Sequence, residues 1–170
     1  MKTLTLLRHA KSGWDDPSLS DFERPLNARG RGAARAMGRE MRALGLAYDR
    51  IVASPAARVT ETIDGLSECY GPLAPVYDEN VYLASLDTLL DIVRATDDAH
   101  ATLLLVGHNP GMERLALLLS RGGALHDEVA LKYPTGSLAE ISLPVEHWRD
   151  VAESRGTLAR FLRPRDLDPD

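Results

Sequence analysis

Short apolar runs alternate along the chain with longer amphipathic stretches. The runs "TLTLL", "RIVAS", "TLLLVG" and "SLAEISL", with a last short one at "TLARFL", have the length and apolar content of strands. Between them, "ARGRGAARAMGREMRALG", "PAARVTETIDGLSECYG", "SLDTLLDIVRATD" and "GMERLALLLSRGG" place apolar or small residues at helical spacing. The first two carry a Gly near the end, as helix C-termini prefer. Strands and helices in alternation predict an α/β three-layer sandwich with a mostly parallel central sheet flanked by helices. One domain over 1–170 is expected, and the polar, Pro-rich end "RPRDLDPD" predicts a frayed tail over 164–170.

Three of the strands end alike. "TLTLL" runs into Arg8 and His9, "RIVAS" into Ser54, Pro55 and then Arg58, and "TLLLV" into "GHNPG", which holds His108 and Asn109. In open α/β sheets ligands bind beyond the carboxyl ends of the strands. If these strands are parallel neighbours, Arg8, His9, Arg58 and His108 converge on one pocket. Ser54 is the expected N-cap of the following helix, with Pro55 in its first turn. That places Arg58 near a helix N-terminus, where the dipole and free N–H groups also favour an anion.

Composition narrows the ligand. A chain of 170 residues buries roughly 70% of its unfolded surface and needs no disulfide or structural metal to hold a core. The single cysteine, Cys69, excludes an internal disulfide and fits a reducing cytosol, so a cytoplasmic location is expected. No secretory signal is visible, and no apolar run approaches the roughly 18 residues of a membrane helix, so no membrane partner is expected. A net charge of -5 with interspersed acids and bases argues against a nucleic-acid surface. An anionic ligand must be met by locally placed cations.

Phosphoryl transfer to histidine is the chemistry these residue types suit. A neutral imidazole accepts a phosphoryl group and later yields it to water, dividing one displacement into two. Arginines give permanent charge and planar donors to the equatorial oxygens of the loose transition state, and they discourage protonation of a nearby imidazole. No metal or other cofactor is then required. A strand-terminal Arg or His is by itself usually a surface or ion-pair residue, and "GHNPG" by itself is usually a turn. It is three such turns at one sheet edge that argue for a site. "RGRGAARAMG" has the glycines of a dinucleotide loop, but no apolar strand leads into it and a solvated helix face is the better reading. His100, His126 and His147 fall outside the motifs.

Taken together these motifs resemble the histidine phosphatase superfamily, with its phosphoglycerate-mutase-like fold, and within it the small SixA-type phosphohistidine phosphatases. "LLRHAKSGW" is similar to the family's N-terminal Arg-His signature, with Ala10 where most relatives carry Gly. "RPLNARG", "ASPAARVTET", "VGHNPGM" and "YPTGSLAEISLP" are similar to the segments that follow it. The resemblance implies that His9 is the phosphoryl-accepting nucleophile, that Arg8 and Arg58 bind the phosphoryl oxygens, and that His108 donates a further hydrogen bond to them. Ser12 and Asn109 are placed with the substrate-binding residues, and Lys11 is a further option. Asp15 stands where many relatives have Asn, and as an anion it is expected to point away from a bound phosphate. "DENVY" resembles the mutase segment whose Glu donates the leaving-group proton, which implies Glu79, with Asp78 as its competitor. A small SixA-type member can also dispense with a strong acid, because protonated imidazole leaves more readily than an alkoxide.

The reading is a metal-independent phosphatase working through a phosphohistidine intermediate on phosphohistidine in a protein partner. A small phosphate ester as substrate is the alternative, as is a noncatalytic phosphoprotein-binding module, although a pure binder has no need of His9. A mutase or a metallohydrolase fits less well, for want of long insertions or a compact ligand motif. Oligomeric state is open.

Overall fold

The computed structural model describes residues 1–167; 168–170, part of the expected frayed tail, lie outside the described residues. Six strands, β1 (Lys2–Arg8), β2 (Arg50–Ala53), β3 (Val76–Tyr77), β4 (Thr102–Gly107), β5 (Leu138–Leu143) and β6 (Thr157–Leu162), form one sheet in the order β3-β2-β4-β1-β5-β6. The first four run parallel, and β5 is antiparallel to both its neighbours, β1 and β6. Five helices cover the sheet: α1 (Ala28–Ala43), α2 (Ala57–Tyr70), α3 (Leu86–Arg94), α4 (Gly111–Leu119) and α5 (Ala124–Leu131).

The central strand β4 reads as an apolar run, and its neighbour β1 as one broken only by Thr5, because both faces are covered. Leu103 and Leu105 of β4, with Leu4 and Leu6 of β1, pack against Leu89, Val93, Met112, Leu115 and Val129 of α3, α4 and α5. Leu104 and Val106, with Leu7, pack on the other side against Met37, Met41, Val59, Ile63 and Leu66 of α1 and α2. These side chains are almost fully buried, and each contributes about 1.5–3 kcal/mol by leaving water. The expected three-layer sandwich is thus what the two core layers build.

The glycines of the first helix serve its packing. A Cβ on Gly38 would sit 2.4 Å from the Leu66 carbonyl oxygen of α2, and one on Gly30 would sit 2.0 Å from the Lys11 carbonyl oxygen. Small residues there let α1 press against α2 and against the loop that follows β1.

Several local expectations differ. α5 and the two-residue β3 are additional to the predicted elements, the first because "ALHDEVAL" is short and weakly patterned. Ser54 is not the N-cap of α2: the helix starts at Ala57, capped by the backbone of Ala56, and the Ser54 hydroxyl accepts the Ala56 N–H within the turn. Residues 164–166 are not frayed either, since Pro164–Asp166 form a 3-10 turn closed by Arg163 bonding Asp166. No helix among the described residues is long and apolar enough to cross a membrane.

Candidate active site

Register delivers the site. Arg8 of β1 pairs with Gly107 of β4, and Ala53 of β2 pairs with Val106. The next residues along these strands, His9, His108 and Ser54, therefore emerge side by side. The ladder runs one step further, with His9 N–H on the Gly107 carbonyl and Ser54 N–H on the Val106 carbonyl. An open cleft of about 410 Å³ lies beyond this edge, lined among others by Arg8, His9, Ser12, Arg58, His108 and Asn109.

His9 is almost buried, and its Nδ1–H donates to the Ala10 carbonyl at 2.7 Å, which leaves Nε2 with the unprotonated lone pair. Burial, and after it the charges of Arg58, Arg8 and Arg24, bring its pKa down to about 4. The Ala10 N–H donates to the Thr62 hydroxyl, which in turn donates to the Arg58 carbonyl, so the His9 turn is tied to the first turns of α2.

His108 lies with its ring centroid 5.3 Å from that of His9. Its pKa falls to about 3, first through burial and then through His9 and Arg58. Its Nε2 is 2.8 Å from the Ser54 hydroxyl, while Nδ1 is buried without a partner among the described residues. With Ala56 N–H donating to its oxygen, Ser54 can still turn its own O–H toward His108 Nε2 when that nitrogen is unprotonated. In that arrangement His108 Nδ1 carries the proton and is a donor without an acceptor.

Arg58, about 2% exposed, donates Nη1 to the Asp21 carbonyl at 2.7 Å and Nη2 to the Asp21 carboxylate at 3.0 Å. Arg8 donates Nη1 to the Tyr133 carbonyl at 2.9 Å, and the Gly136 N–H donates back to the Arg8 and His9 carbonyls. Gly136 has φ +76°, a left-handed turn that glycine adopts without strain. "YPTGS" is thus the strap that holds Arg8 and His9 in place.

Sequence reasoning missed two charged residues of this cleft, Arg24 and Asp21. Arg24, inside "RPLNARG" but not singled out there, is buried, bonds Asp21 through Nε and Nη2, and reaches Ser12 with Nη1. Its guanidinium lies 3.4 Å from the centroid of the exposed Trp14 ring. Asp21 carries Arg24, Arg58 and the Tyr82 hydroxyl on one carboxylate, and these bonds, Tyr82's foremost, hold its pKa at about 2. The signal available in the sequence was the Arg three residues after an Asp, within a segment already matched to the family.

Other expected residues stand less centrally. Asn109 lines the cleft, but its amide donates to the Tyr133 carbonyl and accepts from the Glu113 N–H, so it braces the turn. Ser12 and Lys11 are at the rim. Glu79 is exposed in a 3-10 turn and Asp78 lines a different cleft, so neither is brought to His9; Asp15 is also exposed and outside the lining. Among the described residues, no three His, Cys, Asp or Glu side chains are grouped to hold a metal ion.

The family model for the histidine phosphatase superfamily, branch 1, matches residues 4–81, which include the Arg8, His9 and Arg58 turns. An uncharacterized protein of Mycobacterium tuberculosis is 33% identical over 164 residues, 94% of this chain and 100% of that one. Among solved structures, a candidate phosphohistidine phosphatase SixA from Agrobacterium tumefaciens is 30% identical, with a TM-score of 0.80 over 96% of this chain and 98% of that one. Another, from Nakamurella multipartitia, is 29% identical, with a TM-score of 0.84 over 96% of each. Likeness of this extent, along nearly the whole length, means that the chain belongs to the histidine phosphatase superfamily, as a phosphatase on the phosphoglycerate-mutase-like fold.

Proposed function

We propose that the protein hydrolyses phosphohistidine in a protein partner, without a metal, through a phosphoryl group carried on His9. His9 Nε2 attacks phosphorus in line as the bond to the substrate imidazole breaks. Arg8, Arg58, Arg24 and His108 Nδ1–H meet the equatorial oxygens, where the charge of the transition state resides. The departing imidazole takes its proton from solvent. Water then attacks the phosphohistidine, the P–Nε2 bond breaks, and the water's proton leaves through the open mouth of the cleft.

The observation that carries this reading is the make-up of the cleft, whose described lining holds one carboxylate, bonded to two arginines and a tyrosine, and two buried imidazoles. Its carboxylate, Asp21, is held ionised by Tyr82, Arg58 and Arg24, and both imidazoles are held neutral. These groups favour a nucleophile and oxyanion donors over an acid. An alkoxide leaving group needs a positioned acid, whereas imidazole, with a pKa near 6.5, leaves once solvent protonates it. Phosphohistidine is the substrate that asks least of such a site.

The test is turnover by EDTA-treated protein of a phosphohistidine-bearing domain beside a phosphoserine peptide. Release of phosphate from the first at a rate at least a hundredfold above the second supports the reading. Preference for the phosphoserine peptide, or activity lost to EDTA and restored by a divalent cation, refutes it.

A further inference from the structure

A second groove opens beside the catalytic cleft and shares Lys11 with it. It measures about 430 Å³ and is lined by Lys11, Arg29 and Arg165 around a floor of Gly32, Ala33, Ala36 and Pro164. Arg29, Gly32, Ala33 and Ala36 fall at i, i+3, i+4 and i+7 of α1, so they form one stripe of that helix. Pro164 and Arg165, in the 3-10 turn that follows β6, make the opposite wall.

The cations in this groove are free to bind something else. Lys11 and Arg29 are exposed, and neither side chain makes a hydrogen bond or an ion pair among the described residues. Among the described residues the Arg165 side chain meets only Asp166, at 3.9 Å, and it is 72% exposed. Among the described residues no carboxylate lines the groove, in a chain whose net charge is -5. The charged side chains of the described lining are thus all cationic, and Lys11 joins them to the cleft that holds Arg8, Arg24 and Arg58.

We propose that this groove docks the segment of the substrate protein next to its phosphohistidine, and that the segment carries acidic side chains on a small apolar face. The inference rests on the phosphohistidine reading above and names the feature by which the partner is chosen. With the phosphoryl group in the cleft, chain leaving past Lys11 enters the groove directly. Its carboxylates meet Lys11, Arg29 and Arg165 at the rim, and its apolar side chains lie on Ala33, Ala36 and Pro164. Charges so placed act mainly on the rate of encounter and on partner choice.

Two synthetic phosphohistidine peptides test this, identical but for flanking Glu residues in one and Gln in the other, with inorganic phosphoramidate as a small substrate. Wild type is expected to favour the Glu peptide in kcat/KM by about tenfold at low salt, with the preference shrinking as salt rises. The Arg29→Glu/Arg165→Glu variant loses the preference and turns over phosphoramidate at the wild-type rate, and Arg29→Gln/Arg165→Gln falls between. Equal use of both peptides by wild type, or an undiminished preference in the reversed variant, overturns the groove as the docking site. If wild type hydrolyses none of the three substrates, it is the phosphohistidine reading that fails. Fluorescence anisotropy of the unphosphorylated Glu peptide then decides the groove alone, with tighter binding to wild type than to the reversed variant expected and equal binding refuting it.

Discussion

Arg58 holds Asp21 twice, Nη1 donating to the backbone carbonyl at 2.7 Å and Nη2 to the carboxylate at 3.0 Å. The same carboxylate holds Arg24 at 3.1 Å, so one acid sets the spacing of two guanidinium groups at the mouth of the cleft. Asp21 thus acts as an anchor for the arginines that receive phosphate, and it also competes with phosphate for them. Asp21→Ala is expected to slow turnover by about tenfold through lost orientation, while inhibition by inorganic phosphate stays equal or strengthens. Steady-state kinetics with phosphate as inhibitor check both halves; weakened phosphate inhibition would contradict the anchoring role.

Arg58→Ala removes a donor to the transition state itself. Loss of one such donor costs about 3 kcal/mol, or two to three powers of ten in kcat, and normal turnover of the variant would remove Arg58 from the machinery.

Glu79→Gln is expected to leave turnover of a phosphohistidine substrate unchanged, because Glu79 is exposed and outside the lining of the cleft. A fall of tenfold or more would restore it as the proton donor.

The two imidazoles make the fold sensitive to acid. His9 has its pKa lowered to about 4 and His108 to about 3, against about 6.5 in an unfolded chain. As pH falls below 6.5 the unfolded state takes up protons that the folded state refuses, so stability present at neutral pH is progressively lost through the window from 6.5 to 4 and below. Urea midpoints should drop across that window, and less steeply in a His108→Gln variant. The NMR titration of the His9 ring should show a midpoint well below 6.5, and an unshifted midpoint would contradict the buried, cation-flanked site.

Gly30→Ala forces a Cβ against the Lys11 carbonyl oxygen, on backbone that cannot swing aside as a side-chain end can. A loss of about 1–3 kcal/mol is expected from thermal or urea unfolding, with the rim at Lys11 and Ser12 displaced. Wild-type stability would mean that α1 can shift away at little cost.

Much of this arrangement is visible in the sequence. Mostly apolar runs of strand length give the central strands, because burial on both faces leaves room for little beyond a buried Thr5. The turn after each of three strands names Arg8, His9, Arg58 and His108 by residue type alone. What escapes is set by contacts distant in the chain. Ser54 has the look of a helix cap, yet its hydroxyl lies against a histidine of the neighbouring strand. Asp21 and Arg24 lie in and just after a single 3-10 turn, too short for periodicity to show, and only folding brings them over α2 beside Tyr82. Glu79 matches a short motif, but the 3-10 turn that carries it places it on the surface.

The decisive measurement is trapping of label from a 32P-phosphohistidine domain on EDTA-treated protein, quenched in alkaline SDS, wild type beside His9→Ala. The account predicts base-stable, acid-labile label on wild type alone, located to the peptide containing His9, with phosphate release abolished in the variant. Phosphate release by a folded His9→Ala variant, or label on any other residue, would contradict it.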